Sequence, residues 1–404
     1  MPVIVQKYGG TSIGSVEKIK SVANKIIDEK NNGNDIVVVV SAMSGETNRL
    51  LKLAKDIDLD ATGRELDTLV STGEQVTTSL LTLSLISKGH KAISLTGSQA
   101  GIFTDSSFNK ARIESINNTV IDNYLKEGNI VVVAGFQGVN EKGDITTLGR
   151  GGSDTSAVAI SVALDAKECQ IFTDVDGVYT TDPRIVPKAK KLDTISMEGM
   201  LELAGQGAKV IQIRAVEFAN KFKVPVRVLS SFSSGAGTMI TLENETMENA
   251  EISGIAFQKD QIKVTFTAVE DTPGIASKIL GPLSESDIKV DVIVQNVGIE
   301  GKTDFTFTIA TDEKDLLDGA IEKIQKSINY KEVIIDDEIA KVSIVGVGIR
   351  SHAGVAAKAF QTLSENEINI GMISTSEIKL TLVIEKDDLE KAVKVLHDVF
   401  ELDK

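Results

Sequence analysis

The stretch VIVQKYGGTSIGSVEKIKSVANKIIDE (3–29) combines a β-branched strand, a glycine-rich turn and a long helical pattern, and the first 240 residues repeat this order. Five further strand-like runs are DIVVVVSAM (35–43), KAISLTG (91–97), NIVVVAGFQG (129–138), ECQIFTDV (168–175) and VPVRVLSS (224–231). Helical patterns between them include those over 111–127 and 155–166. Such alternation is typical of a mostly parallel sheet covered by helices on both faces. An α/β domain is therefore predicted over residues 1–245.

From about residue 250 the pattern changes to shorter units with a repeated order. The segments IKVTFTAVEDTPGIASKILGPLSESDIKVDVIVQNV (262–297) and KVSIVGVGIRSHAGVAAKAFQTLSENEINIGMIST (341–375) both read strand, turn, helix, strand. Each copy continues with another strand and another helix. The order βαββαβ predicts a ferredoxin-like unit, here present twice. Duplication alone leaves open whether the pair stabilises the protein or senses a ligand.

Composition narrows the class of protein. A length of 404 residues favours two or three domains, and a net charge of −15 argues against nucleic acid and membrane surfaces as partners. No apolar run approaches the roughly 20 residues needed to cross a bilayer. Three histidines and one cysteine, Cys169, show no metal-binding spacing, which argues against a structural zinc site. The N-terminus lacks the pattern of a signal peptide, so the cytoplasm is predicted.

Two glycine-rich segments suit the binding of an anion. In the first, Lys7 precedes Gly9 and Gly10 at the start of a helical pattern, so that backbone amides, an ammonium group and a helix N-terminus would face the same anion. In the second, TTLGRGGSDTSAVAI (146–160), Arg150 can bind a carboxylate in a bidentate manner. Each segment alone is also compatible with a simple structural role, as an ordinary βα turn or as a helix cap at Ser153 or Asp154.

Two further segments carry polar groups suited to substrates. In FTDVDGVYTTDPR (172–184), Asp174 can accept a hydrogen bond from a ribose, Tyr179 can cover a base and Arg184 can reach phosphate oxygens. The same segment is rich in turn-forming residues. STGEQV (71–76) is equally compatible with a capping box from Ser71 to Glu74.

The ordered set of motifs resembles the aspartate kinases of the amino-acid kinase superfamily. The motifs are KYGGTS (7–12), SAMSGETNRL (41–50), STGEQ (71–75), GFQG (135–138), TLGRGGSD (147–154), TDVDGVYTTDPR (173–184) and GAKV (207–210). The two C-terminal repeats resemble the tandem ACT regulatory domains of that family. The resemblance covers essentially the whole chain and implies the amino-acid kinase fold followed by two ACT domains.

The resemblance implies ATP-dependent phosphorylation of the side-chain carboxylate of L-aspartate to 4-phospho-L-aspartate, the committed step toward lysine, threonine, methionine and, in many bacteria, diaminopimelate. Mg²⁺ is expected with ATP, without an assigned protein ligand. Two other functions are considered: a glutamate or acetylglutamate kinase, and a non-catalytic amino-acid sensor. The presence of Lys7, Glu74, Arg150 and Asp154 argues against the sensor.

The resemblance also implies a role for individual residues. Lys7 and Asp154 are the expected catalytic residues, with Gly9 and Gly10 lining the phosphates. Substrate aspartate is expected at Thr47, Glu74, Phe136, Arg150 and Ser153, where Glu74 would bind the α-amino group and Arg150 a carboxylate. The nucleotide is expected at Lys7, Gly9, Gly10, Thr173, Asp174, Tyr179, Arg184 and Lys209. An inhibitory amino acid is expected at Asp271, Thr272, Gly274, Ile275, Ala276, Gln295 and Asn296.

The family pattern further predicts how the C-terminal region is divided. The first ACT domain, 260–339, would be inserted into the second, which is built from 250–259 and 340–404. Lysine, threonine or both are the expected inhibitors, and side-by-side pairing of ACT domains is expected to give a homo-oligomer. Met247 is a candidate start for a shorter regulatory subunit.

Overall fold

The chain forms two units in the computed structural model, which describes residues 1–208, 210–242, 252–296, 298, 301–351 and 354–404. The first unit contains Met1–Tyr179, Lys191–Gly205 and the described residues of 210–242. The second contains Thr180–Lys190, 206–208 and the described residues from 252 onward. Within these ranges, no helix is both long enough and apolar enough to cross a lipid bilayer.

The first unit contains twelve strands and eight helices among its described residues. The strands are β1 (Val3–Tyr8), β2 (Asp35–Val40), β3 (Ala92–Leu95), β4 (Ile102–Thr104), β5 (Ile113–Ile116), β6 (Ile130–Ala134), β7 (Gln137–Val139), β8 (Ile145–Thr147), β9 (Glu168–Thr173), β10 (Thr194–Ser196), β11 (Val226–Ser230) and β12 (Thr238–Thr241). The helices are α1 (Val16–Asn31), α2 (Glu46–Ile57), α3 (Arg64–Val70), α4 (Thr72–Ser87), α5 (Thr119–Lys126), α6 (Gly152–Ala163), α7 (Met197–Gly205) and α8 (Ile213–Phe222).

Eight of these strands form one large sheet in the order β10-β12-β11-β9-β1-β2-β6-β3. Every neighbouring pair is parallel except β11 and β12. The prediction of a mostly parallel sheet is confirmed. The remaining strands form a smaller sheet in the order β5-β4-β7-β8.

The central strands are buried on both faces, which explains their near-continuous apolar sequence. Ile4, Tyr8, Val38 and Val40 belong to one core cluster together with side chains of α1 and α4. Val39 is also buried, but it alternates with Val38 and Val40 and therefore points to the opposite face, against which α6 packs. Helices on both faces are thus confirmed.

The predicted helix over 111–127 is wrong in its first half. Residues Ile113–Ile116 form β5, which pairs with β4 through Ile102 opposite Ile116 and Phe103 opposite Ser115. The helix begins only at Thr119, whose backbone N–H donates to the Asn117 side chain 3.1 Å away. Pairing with a strand that is adjacent in space therefore overrides a helical pattern in the sequence.

The second unit contains six strands and five α-helices among its described residues. The strands are β13 (Gly254–Glu270), β14 (Ile293–Gln295), β15 (Lys302–Ala310), β16 (Glu332–Val345), β17 (Met372–Thr375) and β18 (Lys379–Glu385). The helices are α9 (Ile275–Glu285), α10 (Lys314–Gln325), α11 (Gly348–Ser351), α12 (Gly354–Glu365) and α13 (Leu389–Val399).

All six strands belong to one antiparallel sheet in the order β14-β15-β13-β16-β18-β17. The long strands β13 and β16 are shared by the two βαββαβ copies. Residues 254–258 of β13 pair with 341–345 of β16, whereas 261–270 pair with β15. Residues 254–258 thus pair with the second copy, and the interrupted domain and its boundaries stay a prediction.

Replacing Phe266 by alanine is expected to destabilise the second unit strongly. Its ring is fully buried, stacks 6.4 Å from the Phe307 ring and meets the Tyr330 ring edge-on at 5.8 Å. The free energy of unfolding should fall by about 3–5 kcal/mol, the usual cost of such a cavity. Urea unfolding followed by far-UV circular dichroism measures it. Ile373→Ala, on an exposed side chain of the same sheet, should cost about 0.5 kcal/mol. Equal losses would contradict this packing.

Candidate active site

The motif segments of the first unit gather at one edge of its large sheet. Gly9 follows β1, Ser41 follows β2, Gly135 follows β6 and Asp174 follows β9. Because these four strands are parallel, their carboxyl ends lie at the same edge. Ligands of open α/β sheets bind at this edge.

The central feature of the edge is an ion pair between Lys7 and Asp154. The Lys7 Nζ lies 2.6 Å from the Asp154 Oδ1, and the two side chains are only 12% and 10% exposed. Lys7 lies one residue before the end of β1, and Asp154 lies in the first turn of α6. The second carboxylate oxygen, Oδ2, accepts a hydrogen bond from the Gln212 backbone N–H at 3.2 Å. The pair holds an ammonium group in a fixed position with little solvent around it.

The glycines beside Lys7 leave room that a side chain would fill. A Cβ on Gly9 would lie 3.3 Å from the Lys7 Nζ, and one on Gly10 would lie 2.8 Å from the Ala42 carbonyl oxygen. The turn after β1 therefore packs closely against the segment after β2. Since Gly10 is followed by Thr11, Ser12 and the start of α1, this backbone is suited to approach an anionic group.

The TLGRGGSD segment forms a tight loop before α6. Gly149 and Gly151 have φ angles of 75° and 72°, a region that favours glycine. A Cβ on Gly151 would overlap the Gln212 side chain, at 1.6 Å from its Cγ. Arg150 lies between these glycines and is exposed; no described carboxylate lies within ion-pair distance of it. Its guanidinium is therefore available to a ligand.

Neither Ser153 nor Asp154 caps α6, so the alternative role of this loop as a side-chain helix cap is wrong. The N-cap of α6 is Gly151, and it makes no side-chain capping bond. Ser153 and Asp154 lie inside the first helical turn, and Asp154 pairs with Lys7 instead. Ser153 is 7% exposed and sits close to Gly135, where an added Cβ would lie 2.9 Å from the Ser153 Oγ.

Glu74 is a buried carboxyl group near the same segments. Its Oε1 accepts a hydrogen bond from the Ala42 backbone N–H at 3.0 Å, and its Oε2 has no hydrogen-bond partner among the described residues. Burial raises the pKa of Glu74 to about 7. The capping box does not form, because the Ser71 hydroxyl makes no capping bond to α4 and donates instead to the Thr68 carbonyl at 2.9 Å. A cationic ligand would satisfy both the charge and the unpaired oxygen of Glu74.

Two other residues predicted to contact aspartate lie on neighbouring segments. Thr47 is half-buried in the first turn of α2, which follows β2. Phe136 follows β6 with a φ of 67°, unusual for an aromatic residue. Its N–H donates to the Ser156 Oγ at 3.2 Å, and its carbonyl accepts from the Leu148 N–H at 2.9 Å. These two bonds hold the strained backbone in place, as is common at binding sites.

The residues predicted to contact the nucleotide are described only in part. The Thr173 Oγ1 donates to Asp174 at 3.1 Å, at the end of β9, and Asp174 is exposed. The Tyr179 hydroxyl donates to Asp176 at 2.8 Å, which raises the pKa of Tyr179. Arg184 belongs to the second unit and forms an ion pair with Asp182 at 2.6 Å. Lys209 lies outside the described residues.

Sequence reasoning missed Gln212, which precedes α8. Its side chain fills the space beside Gly151, and its backbone N–H holds Asp154. No local pattern marks this residue, because its role depends on contacts with a loop about 60 residues earlier in the chain.

Comparison with known proteins shows the same architecture. A family model for the amino acid kinase family matches residues 2–230, and one for an ACT domain matches residues 342–400. The chain is 59% identical over 404 residues to the aspartate kinase of Pseudomonas putida, and covers 98% of it.

Two crystal structures of E. coli aspartokinase III, each 26% identical, are also similar. One is a complex with aspartate and ADP in the R-state, with a TM-score of 0.81. The other is a complex with lysine and aspartate in the T-state, with a TM-score of 0.75. Each match covers 98% of this chain and 99% of the other. The match to the amino acid kinase family spans more than half of the chain, and the identity to an aspartate kinase spans all of it; the chain therefore belongs to the aspartate kinases of the amino acid kinase family.

Proposed function

We propose that this enzyme transfers the γ-phosphoryl group of ATP to the side-chain carboxylate of L-aspartate, forming 4-phospho-L-aspartate. The observation that carries the proposal is the ion pair of Lys7 and Asp154, set beside Gly9 and Gly10 at the same sheet edge as the segments around Glu74. The similar aspartokinase III of E. coli has been crystallised with aspartate and ADP, which supports both substrates.

The proposed chemistry needs positioning and charge stabilisation more than a general base. A carboxylate is already a nucleophile at neutral pH, and a transferring phosphoryl group carries charge that must be neutralised. Lys7 supplies a fixed positive charge for that group, and Asp154 orients Lys7. Gly9 and Gly10 let backbone amides line the phosphates.

Aspartate is proposed to bind through both of its charged ends. Glu74 binds the α-ammonium group, a partner that its buried and unpaired Oε2 favours. Arg150 binds a carboxylate of the substrate. Thr47, Phe136 and Ser153 complete the aspartate site.

The nucleotide is proposed to bind at Thr173, Asp174, Tyr179, Arg184 and Lys209, in addition to Lys7 and the two glycines. Among the described residues, no group of three or more His, Cys, Asp or Glu side chains is arranged to hold a metal ion. We propose that Mg²⁺ accompanies ATP and is held chiefly by the phosphates and water, without an assigned protein ligand. When bound, Mg²⁺ neutralises charge on the phosphates.

The ACT region is proposed to bind an inhibitory amino acid, lysine, threonine or both, and to place the enzyme at the start of lysine, threonine and methionine biosynthesis. The Asp271 turn and the end of β14 lie together, with the Gln295 amide 3.5 Å from the Asp271 carboxylate. Gly274, with a φ of 93°, is the N-cap of α9. Thr272, Ile275, Ala276 and Asn296 complete the proposed site. E. coli aspartokinase III has been crystallised with lysine, which favours lysine as the first effector to test.

Assembly and location stay predictions. A homo-oligomer formed through the ACT domains and a cytoplasmic location are proposed from the sequence. Met247, the candidate start of a shorter regulatory subunit, lies outside the described residues. Probing a native lysate with an antibody to the C-terminal region would reveal a separate subunit as a second, shorter band.

One assay separates the proposed function from its alternatives. ADP release is measured with ATP, Mg²⁺ and, in turn, aspartate, glutamate and acetylglutamate as acceptors. We expect release with aspartate alone. Release with glutamate or acetylglutamate would identify the other kinase class, and release with none of the three would indicate a non-catalytic sensor.

Lys7→Ala is expected to lower kcat by at least about 100-fold, the scale of losing a preorganised charge at a transition state. The coupled ADP-release assay measures it. The matched control is Lys30→Ala, since Lys30 also pairs with an aspartate, Asp35, at 2.8 Å, and is similarly buried, but lies beside the amino end of β2. A folded Lys7→Ala variant with nearly normal kcat would overturn the assignment.

Glu74→Gln is expected to raise the KM for aspartate and to remove its pH dependence near neutrality. In the wild type, the carboxylate must be ionised to bind the substrate ammonium, so the KM for aspartate should rise as pH falls below the Glu74 pKa of about 7. Steady-state kinetics from pH 6 to pH 8.5 test this. An unchanged KM and an unchanged pH profile would contradict the role of Glu74.

Glu74→Gln should also change how the stability of the protein depends on pH. The folded pKa of Glu74, about 7, lies above its ordinary value of 4.5, so the folded protein holds more protons between these pH values. In the absence of aspartate, protonation of Glu74 therefore contributes less to the stability of the wild type as pH rises through this window. Glu74→Gln removes this contribution, so its melting temperature relative to wild type should increase from pH 5 to pH 8.

Asp271→Ala is expected to relieve inhibition while leaving uninhibited turnover nearly intact. An effector inhibits only by binding one state of the enzyme better than another, and Asp271 is proposed to bind its ammonium group. Activity is titrated with lysine, threonine and methionine, alone and in pairs. Asp312→Ala, an exposed aspartate of the same unit, is the control that keeps inhibition. If none of the amino acids changes wild-type activity at millimolar concentration, the regulatory proposal is wrong.

A further inference from the structure

Asp67 and Arg214 bind the loop that carries Arg150, and neither residue belongs to the motifs discussed above. We propose that Asp67 and Arg214 are positioning residues that fix the backbone of this loop from both sides and thereby set the position of the Arg150 guanidinium in the aspartate site. This inference rests on the proposed role of Arg150 in binding a substrate carboxylate.

Asp67 holds the beginning of the loop. The side chain is fully buried in α3, and it accepts hydrogen bonds from the Thr147 N–H at 2.6 Å and from the Thr147 Oγ1 at 2.9 Å. Both of its carboxylate oxygens also accept from the Asn109 N–H at 3.0 Å. A buried carboxylate with several directed donors fixes those donors in space, because losing any one of the bonds leaves a charge poorly solvated.

Arg214 binds Leu148, the residue after Thr147, from the start of α8. It lies in the first turn of α8 and is half-buried. Its two terminal nitrogens donate to the carbonyl oxygens of Leu148 and Ala111, both at 2.8 Å. The planar guanidinium thus bridges the Arg150 loop and the segment before β5. A lysine at this position would lack the two separate terminal nitrogens with which Arg214 reaches the two carbonyl oxygens.

Asp67 and Arg214, here called the clamp, are linked to the catalytic ion pair through Gln212. Gln212, two residues before Arg214, fills the space beside Gly151 and donates its backbone N–H to Asp154. The start of α8 therefore touches the loop at Leu148, before Arg150, and again at Gly151 and Asp154, after it.

The position of Arg150 depends on these contacts more than on its own side chain. Arg150 is exposed and makes no ion pair with a described carboxylate, so its environment does not hold it in place before substrate arrives. Its two glycine neighbours have positive φ angles, which give the backbone a tight turn at Arg150. In this proposal, the hydrogen bonds at Thr147 and at the Leu148 carbonyl fix where this turn begins and thereby where the Arg150 side chain starts. A displacement of about 1 Å at such a group can reduce catalytic efficiency by about 100-fold.

The test compares two conservative variants with matched controls. Arg214→Lys and Asp67→Asn should raise the KM for aspartate by about tenfold or more, with the KM for ATP changed by less than about threefold. Arg227→Lys is the control for the first, because Arg227 is also half-buried and also donates to a backbone carbonyl, that of Ala236. Asp35→Asn is the control for the second. Both controls should keep the wild-type KM for aspartate.

A double-variant cycle shows whether the effect passes through Arg150. If the clamp acts by placing Arg150, then Arg150→Ala combined with Arg214→Lys should have about the same KM for aspartate as Arg150→Ala alone. Melting temperatures are measured for every variant, and Arg214→Lys serves as the second test should Asp67→Asn fail to fold. A lower melting temperature with an unchanged KM would mean a purely structural role and would overturn the proposal.

The failure of this inference can be distinguished from the failure of the proposed function. Additive effects of Arg150→Ala and Arg214→Lys, or unchanged KM values in the clamp variants while Arg150→Ala raises the KM, would overturn the clamp alone. An unchanged KM in Arg150→Ala would overturn the role of Arg150 and the clamp with it. Absence of aspartate-dependent ADP release by the wild type would overturn the proposed function.

Discussion

The ion pair between Lys7 and Asp154, the central feature of the candidate site, depends on strand register. Lys7 lies opposite Val39 of β2 and Ile171 of β9, so the strands on both sides of β1 fix its position along the sheet. Because side chains alternate along a strand, a slip of one residue would turn Lys7 toward α1 and α4 and away from α6. The apolar cluster that holds Ile4 and Tyr8 on the other face is therefore also what points the ammonium group at Asp154.

The parts of the candidate site that can be proposed from the sequence are those whose signal is local. Strand, glycines and helix follow one another within the first 30 residues, and their order is compatible with an anion-binding turn beside Lys7 as well as with an ordinary βα turn. Glu74 was ambiguous because a capping box and a buried ligand use the same residues at the same spacing. The structure excludes the capping box, and Glu74 instead accepts a hydrogen bond from the Ala42 N–H, a partner that the sequence could not identify because it comes from the segment after β2. The role of Glu74 toward a ligand stays a proposal. The helix predicted over 111–127 was wrong for a related reason, since β4 supplies a strand partner that a local pattern cannot reveal.

The parts of the site that the sequence did not predict are held by contacts between distant segments. Asp67 and Thr147 are 80 residues apart, and Arg214 and Leu148 are 66 residues apart. A single aspartate in a short helix carries no pattern that separates a buried anchor from a solvated charge. Burial and the number of donors distinguish them, and both are properties of the folded chain. Positioning residues are for this reason harder to find from sequence than the glycine-rich motifs that they support.

In the second unit, strand register determines how the two copies of the βαββαβ motif are joined. The strand β13 is bonded to the second copy through residues 254–258 and to the first through 261–270, and its last residue, Glu270, immediately precedes Asp271 of the proposed effector turn. The fully buried Lys341 of β16 pairs with Asp291, just before β14, which adds a charged contact between the copies. Because β13 carries backbone hydrogen bonds of both copies, a shift of the effector turn that moves the end of β13 would strain pairing that the second copy also uses. The two copies are therefore joined in one sheet rather than folded as two separate sheets.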